Sequence, residues 1–66
     1  MNVNINGTAD DIPAGSSIKS ILQSRKIPEN IAIIALNGEV ISKDKWDEQE
    51  LREKDSLEII RVIGGG

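Results

Sequence analysis

Two Asn-Gly pairs constrain the fold of this chain more tightly than any other feature. Asn6-Gly7 follows the alternating stretch Met1–Asn6, and Asn37-Gly38 follows the apolar run Ile31–Leu36. Both residue types tolerate the positive φ angles of a two-residue hairpin turn, so each pair predicts a chain that doubles back as antiparallel strands. In the first hairpin Met1, Val3 and Ile5 point one way and Asn2, Asn4 and Asn6 the other, which is the period of a half-buried strand. The return strand, Thr8 to Pro13, carries Asp10, Asp11 and Pro13, residues that suit an edge guarded against aggregation. The second hairpin returns through Glu39-Val40-Ile41. A last strand is predicted over Leu57–Ile63, followed by Gly64-Gly65-Gly66, which are expected to form a flexible tail.

One helix fits between the hairpins. Gly15-Ser16-Ser17 marks its start, with Ser17 as the N-cap, and Ile18, Ile21 and Leu22 form one apolar stripe. Arg25 and Lys26 complement the C-terminal end of the dipole, and Pro28 stops the helix at Ile27 or just before. A helix this short does not hold in water alone, so it must lie on the sheet. Lys43 to Arg52 is polar apart from Trp46 and Leu51. It reads as a turn of helix and a loop across the end of the sheet, with Trp46 a partly buried cover.

The 66 residues make one small domain with no Cys and no His. That excludes disulfides, zinc fingers and thiol or imidazole chemistry, so the fold must stand on hydrophobic packing. Twelve Ile and three Val against four Leu favour strands over helices. A net charge of −3 and a single aromatic residue argue against nucleic-acid binding. The carboxylate pairs Asp10-Asp11 and Asp47-Glu48 lack converging ligands, so no metal is expected. No apolar run approaches the roughly 20 residues that span a bilayer, and the N-terminus lacks the pattern of a leader. A soluble, cytoplasmic protein is the expectation.

The order strand, strand, helix, strand, short strand, strand gives an α+β fold, a small mixed sheet packed on one main helix. The first and last strands should lie side by side in parallel. Alternation predicts a core of Val3, Ile5, Ile18, Ile21, Leu22, Ile34, Leu36, Ile41, Leu57 and Ile59. It leaves Ile33, Ala35, Ile60 and Val62 on the open face of the sheet, an apolar patch that suggests a partner-binding face.

The sequence resembles the ThiS family of sulfur carriers in the ubiquitin-like β-grasp superfamily. The resemblance rests on Met1-Asn2-Val3-Asn4-Ile5-Asn6, on Ala14-Gly15-Ser16-Ser17-Ile18 and on Ala35-Leu36-Asn37-Gly38-Glu39-Val40-Ile41. It also rests on Trp46 and on Asp55-Ser56-Leu57-Glu58-Ile59-Ile60 leading to the terminal glycines. It implies a β-grasp domain over residues 1–63 and a glycine tail over 64–66. It implies a carrier in thiamine thiazole synthesis rather than an enzyme, with no bound cofactor. In that chemistry a ThiF-like enzyme uses ATP to adenylate the C-terminal carboxylate, here that of Gly66. Sulfur from cysteine, delivered through a desulfurase, converts the adenylate to a thiocarboxylate, and thiazole synthase (ThiG) takes the sulfur from it. Gly64 and Gly65 would thread the partner active sites, where side chains would not fit. One departure is Lys54, where family members often have Gly; it affects a turn. Carriers resembling the small subunit of molybdopterin synthase tend to be longer, with aromatic and proline residues before the glycines, unlike Arg61-Val62-Ile63. A ubiquitin-like protein modifier is the other alternative, since conjugation begins with the same adenylation.

Overall fold

The computed structural model describes residues 1–62. The expected boundary between residues 63 and 64, and Gly64, Gly65 and Gly66 themselves, lie outside the described residues. The elements are β1 (Asn2–Ile5), β2 (Thr8–Asp11), α1 (Ile18–Ser24), β3 (Ala32–Leu36), β4 (Glu39–Ile41) and β5 (Ser56–Arg61). Single 3₁₀ turns occupy Glu29–Ile31 and Lys43–Lys45. The five strands form one sheet in the order β2-β1-β5-β3-β4, with β5 parallel to β1 and antiparallel to β3. Among the described residues no helix is long and apolar enough to cross a membrane.

Both hairpins close through the expected turns. Asn6 and Gly7 have φ of 54° and 84°, Asn37 and Gly38 of 51° and 86°, the paired positive angles of a type I′ turn. The registers Ile5↔Thr8 and Leu36↔Glu39 follow directly from the two-residue loops. Each asparagine also braces β5. Asn6 donates its backbone N–H to the Leu57 carbonyl at 2.9 Å, and its Oδ1 accepts from the Ile59 N–H at 2.8 Å. On the other side Asn37 donates to the Ser56 carbonyl at 2.8 Å, and its Oδ1 accepts from the Ser56 N–H at 2.9 Å. Where the backbone leaves the ladder to turn, the side-chain carbonyl accepts in place of the main-chain one, so β5 loses no hydrogen bond there.

The helix is capped at both ends. Ser17 and Ser20 form a reciprocal capping box, at 3.1 Å and 2.9 Å. Ile18 N–H donates to the Gln49 carbonyl at 3.0 Å and Lys19 N–H to the Trp46 carbonyl at 3.2 Å, so the 46–51 segment takes the remaining first-turn donors. At the C-terminus Lys26 has φ of 58°, Ile27 N–H donates to Leu22 at 2.9 Å and Lys26 N–H to Gln23 at 3.1 Å. These are the two bonds of a Schellman motif, and its hydrophobic clasp is the buried pair Leu22 and Ile27. Arg25 and Lys26 therefore lie past the last helical turn, and the Arg25 guanidinium pairs with Asp10 of β2 instead of with helix carbonyls.

The core lies between α1 and one face of the sheet. Nine residues predicted for it, Val3, Ile5, Ile18, Ile21, Leu22, Ile34, Leu36, Leu57 and Ile59, are buried. Ile41 is the exception and is only partly buried. It faces Ile34 from β4, an edge strand that among the described residues has no neighbour on its outer side. Four further residues complete the core: Ile12, Ile27, Trp46 and Leu51. Trp46 is buried rather than a half-exposed cover, and its indole N–H donates to the Ile41 carbonyl at 2.9 Å. Two strands are shorter than the apolar pattern. β2 ends at Asp11, before Pro13, and β5 ends at Arg61, with Ile63 outside the described residues. Ile31 sits in a 3₁₀ turn ahead of β3.

Two predictions follow from this packing. Leu57 and Ile34 are fully buried, and truncating either to Ala should cost roughly 2–5 kcal/mol, comparable to the whole stability of a domain this small. Urea or thermal unfolding should find both variants largely unfolded at room temperature, and a parental melt would contradict the assigned packing. Lys54 holds φ of 70°, a left-handed conformation that costs a side chain roughly 1–2 kcal/mol. Lys54→Gly should therefore raise stability by about 1 kcal/mol, seen as a higher unfolding midpoint.

Candidate functional site

The second face of the sheet has no helix over it. Strand pairing sets Ile33 opposite Ile60 and Ala35 opposite Glu58 across β3 and β5, and Val40 of β4 opposite Ala35. Val62 extends the set, its N–H donating to the Ile31 carbonyl at 2.7 Å. Ile33, Val40, Ile60 and Val62 are 42%, 69%, 49% and 54% exposed, and Ala35 is half-buried. The structure therefore brings together all four residues predicted for the open face. They are also joined by Val40, which sequence reasoning left out. The signal was available: a two-residue turn at Asn37-Gly38 pairs residue 36 with 39, and therefore 35 with 40.

The face is divided. Its β3–β4 side, with the end of β5, is aliphatic, whereas Asn2, Asn4 and Ser56 make the β1 side polar. The aliphatic half is also the half where β5 ends, at Arg61. Four residues follow Val62, and at about 3.3–3.6 Å each they span at most ~14 Å. Gly64, Gly65 and Gly66, the other predicted site residues, lie outside the described residues.

Among the described residues, no three His, Cys, Asp or Glu side chains converge to hold a metal ion. The groove lined by Leu36, Asn37, Arg52 and Asp55 owes its shape to a turn. There the Asp55 carboxylate accepts from the Arg52 N–H at 2.7 Å and from Asn37 Nδ2 at 3.1 Å. Both oxygens are engaged in fixing the entry to β5. The N-terminal donors of α1 are likewise occupied, which removes that end as an anion site.

The profile of the ThiS family matches residues 3–66. A relative from Bacillus subtilis (strain 168), described as sulfur carrier protein ThiS, is 36% identical over 50 residues, covering 76% of each chain. The whole chain also aligns, at 30% identity over 67 positions, with 20% of a thiazole synthase from Magnetococcus marinus. The crystal structure of the thiamine biosynthesis protein ThiS from Geobacter metallireducens superposes with a TM-score of 0.85 at 25% identity, covering 100% of both chains. The solution structure of a thiamine biosynthesis protein from the same organism gives 0.77 at 26% identity, covering 100% of this chain and 88% of that one. The mixed five-stranded sheet on one helix is thus the ubiquitin-like β-grasp that the sequence resemblance implied.

Ile59 and Ile60 are chain neighbours on opposite faces, 7% and 49% exposed. Ile60→Asp should leave unfolding within about 1 kcal/mol of the parent. Ile59→Asp should unfold the domain, because it buries a carboxylate without a partner. Equal losses from the two substitutions would refute the assignment of faces.

Proposed function

The chain belongs to the ThiS family, and on that premise we propose that it is a sulfur carrier in thiamine biosynthesis whose reacting group is the carboxylate of Gly66. The observation that supports this most is a family match running to residue 66, the last glycine. A carboxylate is a poor electrophile. A ThiF-like enzyme activates it by letting one carboxylate oxygen attack the α-phosphorus of ATP, with pyrophosphate leaving. Sulfur delivered from cysteine as a desulfurase persulfide then attacks the acyl carbon with AMP departing, and a thiol reductant cleaves the S–S bond of the resulting acyl disulfide, leaving a thiocarboxylate. Thiazole synthase takes its sulfur from that group.

The division of labour has a physical basis. Activation needs a site that excludes water and stabilises developing charge, which the enzyme supplies. The carrier supplies a terminus narrow enough to enter such a site, and a tail of Gly64, Gly65 and Gly66 has no Cβ to obstruct a channel. It also supplies a docking face, Ile33, Ala35, Val40, Ile60 and Val62, beside the point where that tail begins. The carrier is thus a co-substrate, and a partner that recognises the face receives the carboxylate within reach. The Magnetococcus marinus alignment supports thiazole synthase as one such partner. A cytoplasmic location would suit the proposed dependence on ATP and on enzyme partners.

Converting the Gly66 carboxylate to an amide keeps the length of the tail and removes the attacking oxygen. The amidated chain should melt like the parent yet support no ATP–pyrophosphate exchange with the adenylating enzyme. Exchange at the parental rate would overturn the proposal.

A further inference from the structure

Among the described residues, Glu58 is the one ionisable side chain set among the aliphatic residues of the open face. It lies directly opposite Ala35, two residues before Ile60, and Val40 flanks Ala35 on the other side. It is exposed, and among the described residues its carboxylate enters no ion pair or side-chain hydrogen bond. Arg61, on the same strand, cannot neutralise it from this face, because strand alternation turns Arg61 with Ala32 toward the opposite side. The small Ala35 makes a low point in the surface, bounded by Ile33 along β3 and by Val40 and Glu58 across the neighbouring strands.

A dry interface cannot close over such a carboxylate at no cost, since stripping its water without supplying a counter-charge is strongly unfavourable. We propose that Glu58 is a specificity residue of the docking face, selecting a thiazole synthase surface that carries one arginine or lysine. The aliphatic stem of that side chain lies over Ala35, between Ile33 and Val40, and its cationic head meets the Glu58 carboxylate. This inference rests on the docking-face reading above. Lys and Arg side chains suit the site because they bury a hydrocarbon stem while keeping the charge at the tip. A surface offering hydrocarbon alone would leave Glu58 unpaired and is discriminated against. One observation points to thiazole synthase as the occupant. A segment like this whole chain occurs within a thiazole synthase polypeptide.

The test is the affinity of the full chain for its cognate thiazole synthase, measured for parent, Glu58→Gln, Glu58→Lys and Ile60→Asp at low and high salt. Unchanged thermal melts would confirm that the variants fold. Glu58→Gln should weaken binding about thirtyfold or more, because it strands a buried cation, and should flatten the salt dependence seen in the parent. Glu58→Lys should weaken it further by setting like charges together. Ile60→Asp should also bind weakly. If Ile60→Asp is impaired but both Glu58 variants bind within about threefold of the parent, or more tightly, the cation pairing is overturned and the docking face stands. If the parent does not bind, or Ile60→Asp binds like the parent, the docking-face reading falls and this inference with it.

Discussion

Within the sheet the two hairpins meet through β5 alone. β1 and β3 are not neighbours, and in the order β2-β1-β5-β3-β4 the last strand lies between them, parallel to one and antiparallel to the other. The parallel pairing joins residues about fifty positions apart, and it cannot form until almost the whole chain exists. Closure entropy must be met before that contact is made, so the native sheet depends on β5 arriving with high affinity for both sides. Leu57 and Ile59 provide it through burial, and Asn6 and Asn37 provide it through side-chain carbonyls that hold its N–H groups from opposite flanks.

The same strand connects stability to use. Its inward residues close the core, while its outward residues, Glu58 and Ile60, sit on the open face beside Ile33 and Ala35. Because successive side chains alternate, one six-residue strand serves both purposes without conflict. It also ends beside the aliphatic patch, where the Val62 N–H donates to the Ile31 carbonyl.

Much of this is legible from residue order. Asn-Gly pairs, period-two alternation in β1 and β5, and a Ser17-capped stripe of Ile18, Ile21 and Leu22 specify elements through local backbone preferences. The open face was readable for the same reason, since alternation assigns Ile33, Ala35, Ile60 and Val62 together. What escaped the pattern lay in irregular segments. Ile12, Ile27, Trp46 and Leu51 are buried although each stands alone among polar residues, where no periodicity marks a buried side. Val40 escaped for a different reason: its place on the face comes from pairing with Ala35 across the turn, not from its own strand of three residues.

Sequence by itself determined the hairpins, the helix, the alternating faces and the glycine terminus, because these depend on φ preferences, side-chain period and the absence of Cβ atoms over a few residues. Only the tertiary structure decided which isolated apolar residues join the core and how far Ile41 is covered. It also decided that Asn6 and Asn37 each hold β5 in addition to turning the chain. Those outcomes depend on which distant segments pack together: the 46–51 segment against the N-terminus of α1, Ile27 folded back on Leu22, and β4 left at an edge. Burial is a property of neighbours brought from elsewhere in the chain, and no local window contains them.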